Sequence, residues 1–234
     1  MLNASCQLLL VVAPDWGSTV GQLQAYERGS RVGAWWPVGP AIPVSLGRSG
    51  LAWGRGVHAL LDTPERLKCE GDGCSPAGIF AITALFGYAA PESPLALGAK
   101  LPYLGATENL KAIDDPASAY YNRIVDQSTV AEPDWVSSED MLRHDQRYVV
   151  GAVVAHNAQP SVVGGGSCIF LHVWESEATP TAGCTAMTLV DMSQIAGWLD
   201  AAAQPLLVQL PQSEYEHWRE IWSLPTFPFG DSLR

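Results

Sequence analysis

The chain has 234 residues, of which 47% are apolar and only 16% charged, with 22 Gly and 17 Pro. That length suits one large or two small domains, and the mix favours strands and loops over a helical bundle. A formal charge of -11 argues against a nucleic-acid partner, which wants a basic face, and against an anionic membrane surface.

The longest apolar run, Leu8 to Ala13, falls far short of the roughly 20 residues that a spanning helix needs. No membrane span is therefore expected. The run lacks a basic flank and a following cleavage site, so it does not read as a signal peptide, and the chain is expected to be a mature form behind a starter Met1. Five cysteines is an odd count. Cys69 and Cys74 flank Glu-Gly-Asp-Gly, and either they pair across that turn or both stay as thiols.

Gln7 to Ala13 reads as the first strand and Val20 to Glu27 as the second. Ala34 to Val38 and Ala41 to Leu46 read as two more, punctuated by Gly39-Pro40. Gly47 to Gly56 is a glycine-rich loop without the spacing or the Lys-Ser/Thr of a nucleotide loop. A strand over Gly78 to Phe86 follows the turn Ser75-Pro76-Ala77-Gly78. Residues 87–146 read as irregular, with one short helix near Ser138 to His144. An excursion of that length inside a compact domain is expected to be functional, and we read it as a lid. Tyr148 to His156 and Cys168 to Trp174 are strands separated by the break Gly164-Gly165-Gly166. Asp191 to Ala203 reads as a helix capped by Asp191, Pro205 to Leu210 as a last strand, and Glu214 to Trp222 as a terminal helix. With no repeat, low-complexity tract or linker, the expectation is one mainly β domain over residues 1–234.

Chemistry concentrates in His172-Val-Trp-Glu-Ser-Glu-Ala-Thr-Pro-Thr-Ala-Gly-Cys184. A thiol is mostly protonated at neutral pH and needs a base or a positive field to become a nucleophile. A strand ending near His172, a loop through Pro180 and a turn at Thr181-Ala182-Gly183 would bring imidazole and thiol together. The amides of Ala182, Gly183 and Cys184 would then converge on a developing oxyanion. Read alone, a His and a Cys at this spacing are more often a packed strand and a buried structural cysteine than a catalytic pair. A metal site is disfavoured, because one His and one Cys supply two ligands and no third lies at a usual spacing. The order, His before Cys, excludes papain-like peptidases, and the absence of Gln-Ala before the cysteine excludes caspases.

These residues resemble the catalytic segment of the L,D-transpeptidases, the YkuD-like fold. That family carries a His, a variable loop, and Ser-X-Gly-Cys followed by Ile or Val, Arg, and Met or Leu. Here His172, Thr181, Ala182, Gly183, Cys184 and Met187 take the matching places, and Thr185 replaces Ile or Val. Upstream, the family has Pro-Val-Ser-X-Gly and Thr-Pro-X-Gly-X-Phe-X-Ile. The chain has Pro43-Val44-Ser45-Leu46-Gly47 and Ser75-Pro76-Ala77-Gly78-Ile79-Phe80-Ala81-Ile82. It departs at Ala186, where the family has Arg, and at Val173, where the family has Gly after the His.

The resemblance implies a β-sandwich or barrel with a few helices. It implies peptidoglycan stem peptides as partners, a Cys184 thioester, His172 as base, and the Gly183 amide in the oxyanion site. No cofactor is implied. Carbapenems are expected to acylate Cys184, and the location implied is the cell envelope. Water in place of an amine would make the enzyme a carboxypeptidase, and an idle cysteine would leave a wall-binding module. Substrate contacts are expected from Thr181, Ala182, Trp174, which shares the strand face of His172, and His156. His156 either reaches the pocket or pairs with a backbone carbonyl at a strand end. Trp53 and Arg55 are candidates to hold a stem-peptide carboxylate, and Tyr120, Tyr121 and Arg123 belong to the lid. Asp114, Asp115, Glu139 and Asp140 read as turn and helix-cap carboxylates. Cys168 reads as a buried strand residue beside the site.

Overall fold

The computed structural model describes residues 2–59, 67–158, 160–177 and 179–228. Its strands are β1 (Gln7–Ala13), β2 (Val20–Glu27), β3 (Trp36–Ser45), β4 (Leu51–Trp53), β5 (Ser75–Gly87), β6 (Tyr103–Gly105), β7 (Leu110–Ala112), β8 (Ile124–Asp126), β9 (Glu139–Asp140), β10 (Val150–Val154), β11 (Phe170–Val173), β12 (Thr185–Met187) and β13 (Leu206–Pro211). The helices are α1 (Pro94–Leu97), α2 (Leu189–Trp198) and α3 (Gln212–Ile221).

The main sheet runs β10-β11-β12-β3-β2-β1-β13-β5, and β10 also pairs with β5, which closes it into a barrel. Strand β5 makes closure possible because it is long, 13 residues. Residues Gly78–Ala81 pair with β13, and Ile82–Gly87 pair with β10. β1 pairs parallel with β13 and lies beside β2, and all seven of its residues are buried. That accounts for its uninterrupted apolar run, since a strand covered on both faces has no solvent side to mark with polar residues. α2 packs against β10 and β11, and α3 against β13 and β1. One core fills the barrel, with Trp53, Tyr26 and Phe80 among its largest buried side chains.

Several expectations change. The two strands on either side of Gly39-Pro40 are one strand, β3, paired along β2 with a register irregularity opposite Leu23 and Ala25. Gly39 takes φ +64° there, so the chain bends without leaving the sheet. The stretch near Ser138 to His144 is not a helix. Its Glu139 and Asp140 pair with Ala112 and Lys111 in a small sheet, β8-β7-β9, and that long-range pairing overrides local preference. Residues 87–146 therefore hold short strands rather than irregular chain. The helix expected from Asp191 begins at Leu189, is capped by the Thr188 hydroxyl, and ends at Trp198. Asp191 sits inside its first turn, donating its amide to Thr188. Among the described residues no disulfide forms. Cys69 is exposed and Cys74 buried, its Sγ directed to the Ser49 carbonyl at 3.2 Å.

Candidate active site

β11 and β12 are parallel neighbours, with His172 opposite Ala186, so Cys184 sits just before β12 at the level of Phe170. The Phe170 amide donates to Cys184 Sγ at 3.3 Å, and Sγ lies 3.6 Å from the Cys168 carbonyl. The thiol belongs to a small apolar cluster with Phe86, Ala112, Met141, Tyr148, Cys168 and Phe170. Ala112 and Met141 come from the 87–146 segment, which thereby packs directly against the surroundings of Cys184.

Three stretches far apart in sequence meet at the turn before Cys184. The Ser75 hydroxyl donates to the Cys184 carbonyl at 2.9 Å and accepts the Gly47 amide at 2.9 Å. The Thr181 hydroxyl donates to the same carbonyl at 2.6 Å and accepts the Gly183 amide at 3.1 Å. Thr181 is also tied to the Gly47 loop, its amide donating to Leu46 and its carbonyl accepting from Arg48, both at 2.8 Å. A side chain at Gly47 would lie 2.3 Å from the Gly73 carbonyl. Gly183 takes φ +152°, and a Cβ there would approach the Cys74 carbonyl to 2.9 Å. Gly47, Ser75, Thr181 and Gly183 thus act together to hold the turn that leads into Cys184.

Cys184 and His172 both line a cavity of about 180 Å³. Its wall also includes Trp174, Thr181, Ala182 and Ala186, together with Glu139, Arg143, Arg147, Tyr148 and Glu175. His172 Nδ1 lies 2.8 Å from the Val173 carbonyl. A carbonyl only accepts, so Nδ1 carries the proton and the neutral ring keeps its lone pair on Nε2. The Tyr148 ring meets His172 edge to face at 5.5 Å. Burial lowers the His172 pKa to about 4, helped by Arg147 and Arg143 and opposed by the Val173 hydrogen bond. Burial raises the Cys184 pKa to about 12, reinforced by Glu139 and opposed by the Phe170 amide, Lys68 and Arg143. The resting pair is therefore thiol and imidazole, not thiolate and imidazolium.

His156 does not line this cavity. Its Nδ1 accepts the Arg55 amide at 3.2 Å and its Nε2 bonds the Gly165 carbonyl at 3.0 Å, so backbone groups take both nitrogens. Burial and the nearby Lys68 push its pKa down to about 3. Trp53 is 1% exposed and packs edge-on to Trp16 and Trp222 in the core. The Arg55 guanidinium donates to the Lys68 carbonyl at 3.2 Å. Tyr120, Tyr121 and Arg123 also lie off the cavity wall. The Tyr121 hydroxyl donates to Glu70, and Arg123 lies over the Tyr120 ring.

Sequence reasoning missed Glu139, Arg143, Arg147, Tyr148 and Glu175 as wall residues, and no motif or spacing marks them. At the family's Arg position, Ala186 is fully buried, and the guanidinium groups of the wall come instead from Arg143 and Arg147. Arg143 forks onto Asp145, and Arg147 pairs with Glu175 and Asp145. Among the described residues no group of three His, Cys, Asp or Glu is arranged to hold a metal, and no helix is long and apolar enough to cross a membrane.

No curated protein and no solved structure matches the chain. The family of L,D-transpeptidase catalytic domains (YkuD) does match it, over residues 18–208. That span runs from β2 into β13 and contains the Gly47, Ser75 and Cys184 motifs that the Ser75 hydroxyl links, and the chain belongs to this family of L,D-transpeptidase catalytic domains.

Proposed function

We propose that the chain is a cysteine acyltransferase of the cell envelope that cross-links peptidoglycan stem peptides through a thioester on Cys184. The observation that carries this reading is the cavity wall shared by Cys184 and His172, with the Cys184 turn fixed by the Ser75 and Thr181 hydroxyls. Cys184 Sγ attacks the carbonyl of the third residue of a tetrapeptide stem. Because thiol and imidazole are both neutral at rest, the proton passes to His172 Nε2 as the C–S bond forms. His172 then gives that proton to the departing D-amino acid, and an acceptor amine resolves the thioester.

The Gly183 amide is engaged by Thr181, so the oxyanion falls to the Ala182 and Cys184 amides, for which no bond to another described residue is seen. Trp174 walls the donor side. Arg143 and Arg147 meet the donor's carboxylate in place of an Arg at position 186. No step in this scheme calls on a cofactor.

The test is mass spectrometry of tetrapeptide muropeptides incubated with the protein, beside Cys184→Ala. A dimer lacking one terminal D-alanine, absent with the variant, supports transfer. Tripeptide alone would make the enzyme an L,D-carboxypeptidase. No change with either protein would favour a binding role. A carbapenem adduct on the protein, lost in Cys184→Ala, would report the same nucleophile independently.

A further inference from the structure

The cavity wall carries a carboxylate that the acylation chemistry does not use. Two acids line it, Glu139 and Glu175. Glu175 is held in an ion pair by Arg147. Glu139 forms no ion pair among the described residues. Its Oε2 accepts the Tyr148 hydroxyl at 2.6 Å, and its Oε1 accepts from no described group. Alternation along β9 separates it from its neighbour, for Asp140 turns outward to Lys111 while Glu139 faces the cavity. A partly buried carboxylate without an ion-pair partner among the described residues is a ready site for a ligand's cation.

Its surroundings also strengthen it as a base. Burial raises its pKa, Asp114 and Glu70 add to this, and the Tyr148 hydrogen bond and Arg143 oppose it. Tyr148 then joins the two halves of the site, since its hydroxyl holds Glu139 and its ring packs on His172.

We infer that Glu139 receives the acceptor: its unoccupied oxygen binds the ammonium group of an amine substrate and takes one proton from it. This rests on the acyl-enzyme reading above. The neutral amine attacks the thioester carbonyl, the C–N bond forms and the C–S bond breaks. A second N–H proton passes through His172 Nε2 to the departing sulfur, restoring the Cys184 thiol. The proton on Glu139 leaves to solvent, and the products are an amide and the free enzyme.

The experiment uses the full chain, a tetrapeptide muropeptide as donor, and two acceptors. Methylamine arrives as an ammonium ion, whereas hydroxylamine is neutral at neutral pH. Acylation of Cys184 is first followed by intact mass without acceptor, and transfer is then measured with each amine. In Glu139→Gln, transfer to methylamine is expected to fall by about 100-fold or more, the scale of a lost general base. Transfer to hydroxylamine and acylation are expected to change by less than about tenfold, well below that scale. Equal losses of acylation and transfer, or undiminished transfer to methylamine, would overturn the inference. If the Gln variant fails to fold, Tyr148→Phe decides. It keeps the carboxylate but loses the bond that stabilises its charged form, so the acid limb of methylamine transfer must move to higher pH, and an unmoved limb refutes the role. A wild-type protein that never acylates would sink the acyl-enzyme reading itself, and that is seen before any acceptor is added.

Discussion

Replacing Ser75 by Ala probes the joint between the motifs. Ser75 is fully buried, and its hydroxyl serves both the Gly47 amide and the Cys184 carbonyl. In Ser75→Ala the carbonyl keeps its bond from Thr181, so that end loses only an ordinary hydrogen bond, about 0.5–1.5 kcal/mol. The Gly47 amide is left buried without this partner, which costs about 1–3 kcal/mol. The expected destabilisation is therefore about 1.5–4.5 kcal/mol, read from urea midpoints at constant slope. Thr181→Ala removes the other donor to the same carbonyl. Once either hydroxyl is gone, loss of the second orphans that oxygen, so the double variant should fall about 1 kcal/mol or more below the sum of the singles. A Ser75→Ala loss under about 0.5 kcal/mol, or additivity within about 0.5 kcal/mol, would refute the idea that the two hydroxyls act through one carbonyl.

Three further outcomes follow from the same geometry. Gly183→Ala should cost about 1–3 kcal/mol in thermal unfolding, because φ +152° is strained for Ala and its Cβ meets the Cys74 carbonyl. Thiol alkylation at Cys184 should change in the same variant. Stability should fall with acid between about pH 6 and 4, because His172 and His156 are held neutral with pKa values of about 4 and about 3. In that window the unfolded chain binds protons that the native state refuses, at up to about 1.4 kcal/mol per pH unit for each ring. His156→Gln should remove about half of that slope in urea titrations, and a flat profile down to pH 4 would contradict the burial of these rings. Arg147→Ala should change stability by only about 0–1 kcal/mol, since its ion pairs are part exposed. If the guanidinium meets the donor carboxylate, KM for the tetrapeptide should rise about tenfold with kcat preserved, the signature of lost uniform binding.

What the sequence alone determined was set by short-range constraints. The apolar run of β1 was legible as a strand, and the sheet around it decided that both its faces are covered. Gly47, Ser75 and Cys184 were legible through the resemblance of their short motifs to those of the L,D-transpeptidases, and Gly183 also as a residue that permits close backbone approach. That His172 and Cys184 belong together was an expectation carried by the family resemblance, and the structure sets both on the wall of one cavity. Tertiary structure alone decided which oxygen the motif hydroxyls would bond, since Ser75 lies 109 positions from Cys184 and no local rule links them. It also decided that His156 spends both ring nitrogens on backbone groups, and that the Cys69 and Cys74 thiols face different surroundings. Glu139 shows the division most plainly. In sequence it is one of two adjacent acids, read as turn and cap residues. Pairing of β9 with β7 sets an alternation that sends one acid to solvent and the other into the cavity beside the thiol. Side-chain direction on a two-residue strand depends on its partner's register, and that register is fixed by packing across the whole fold.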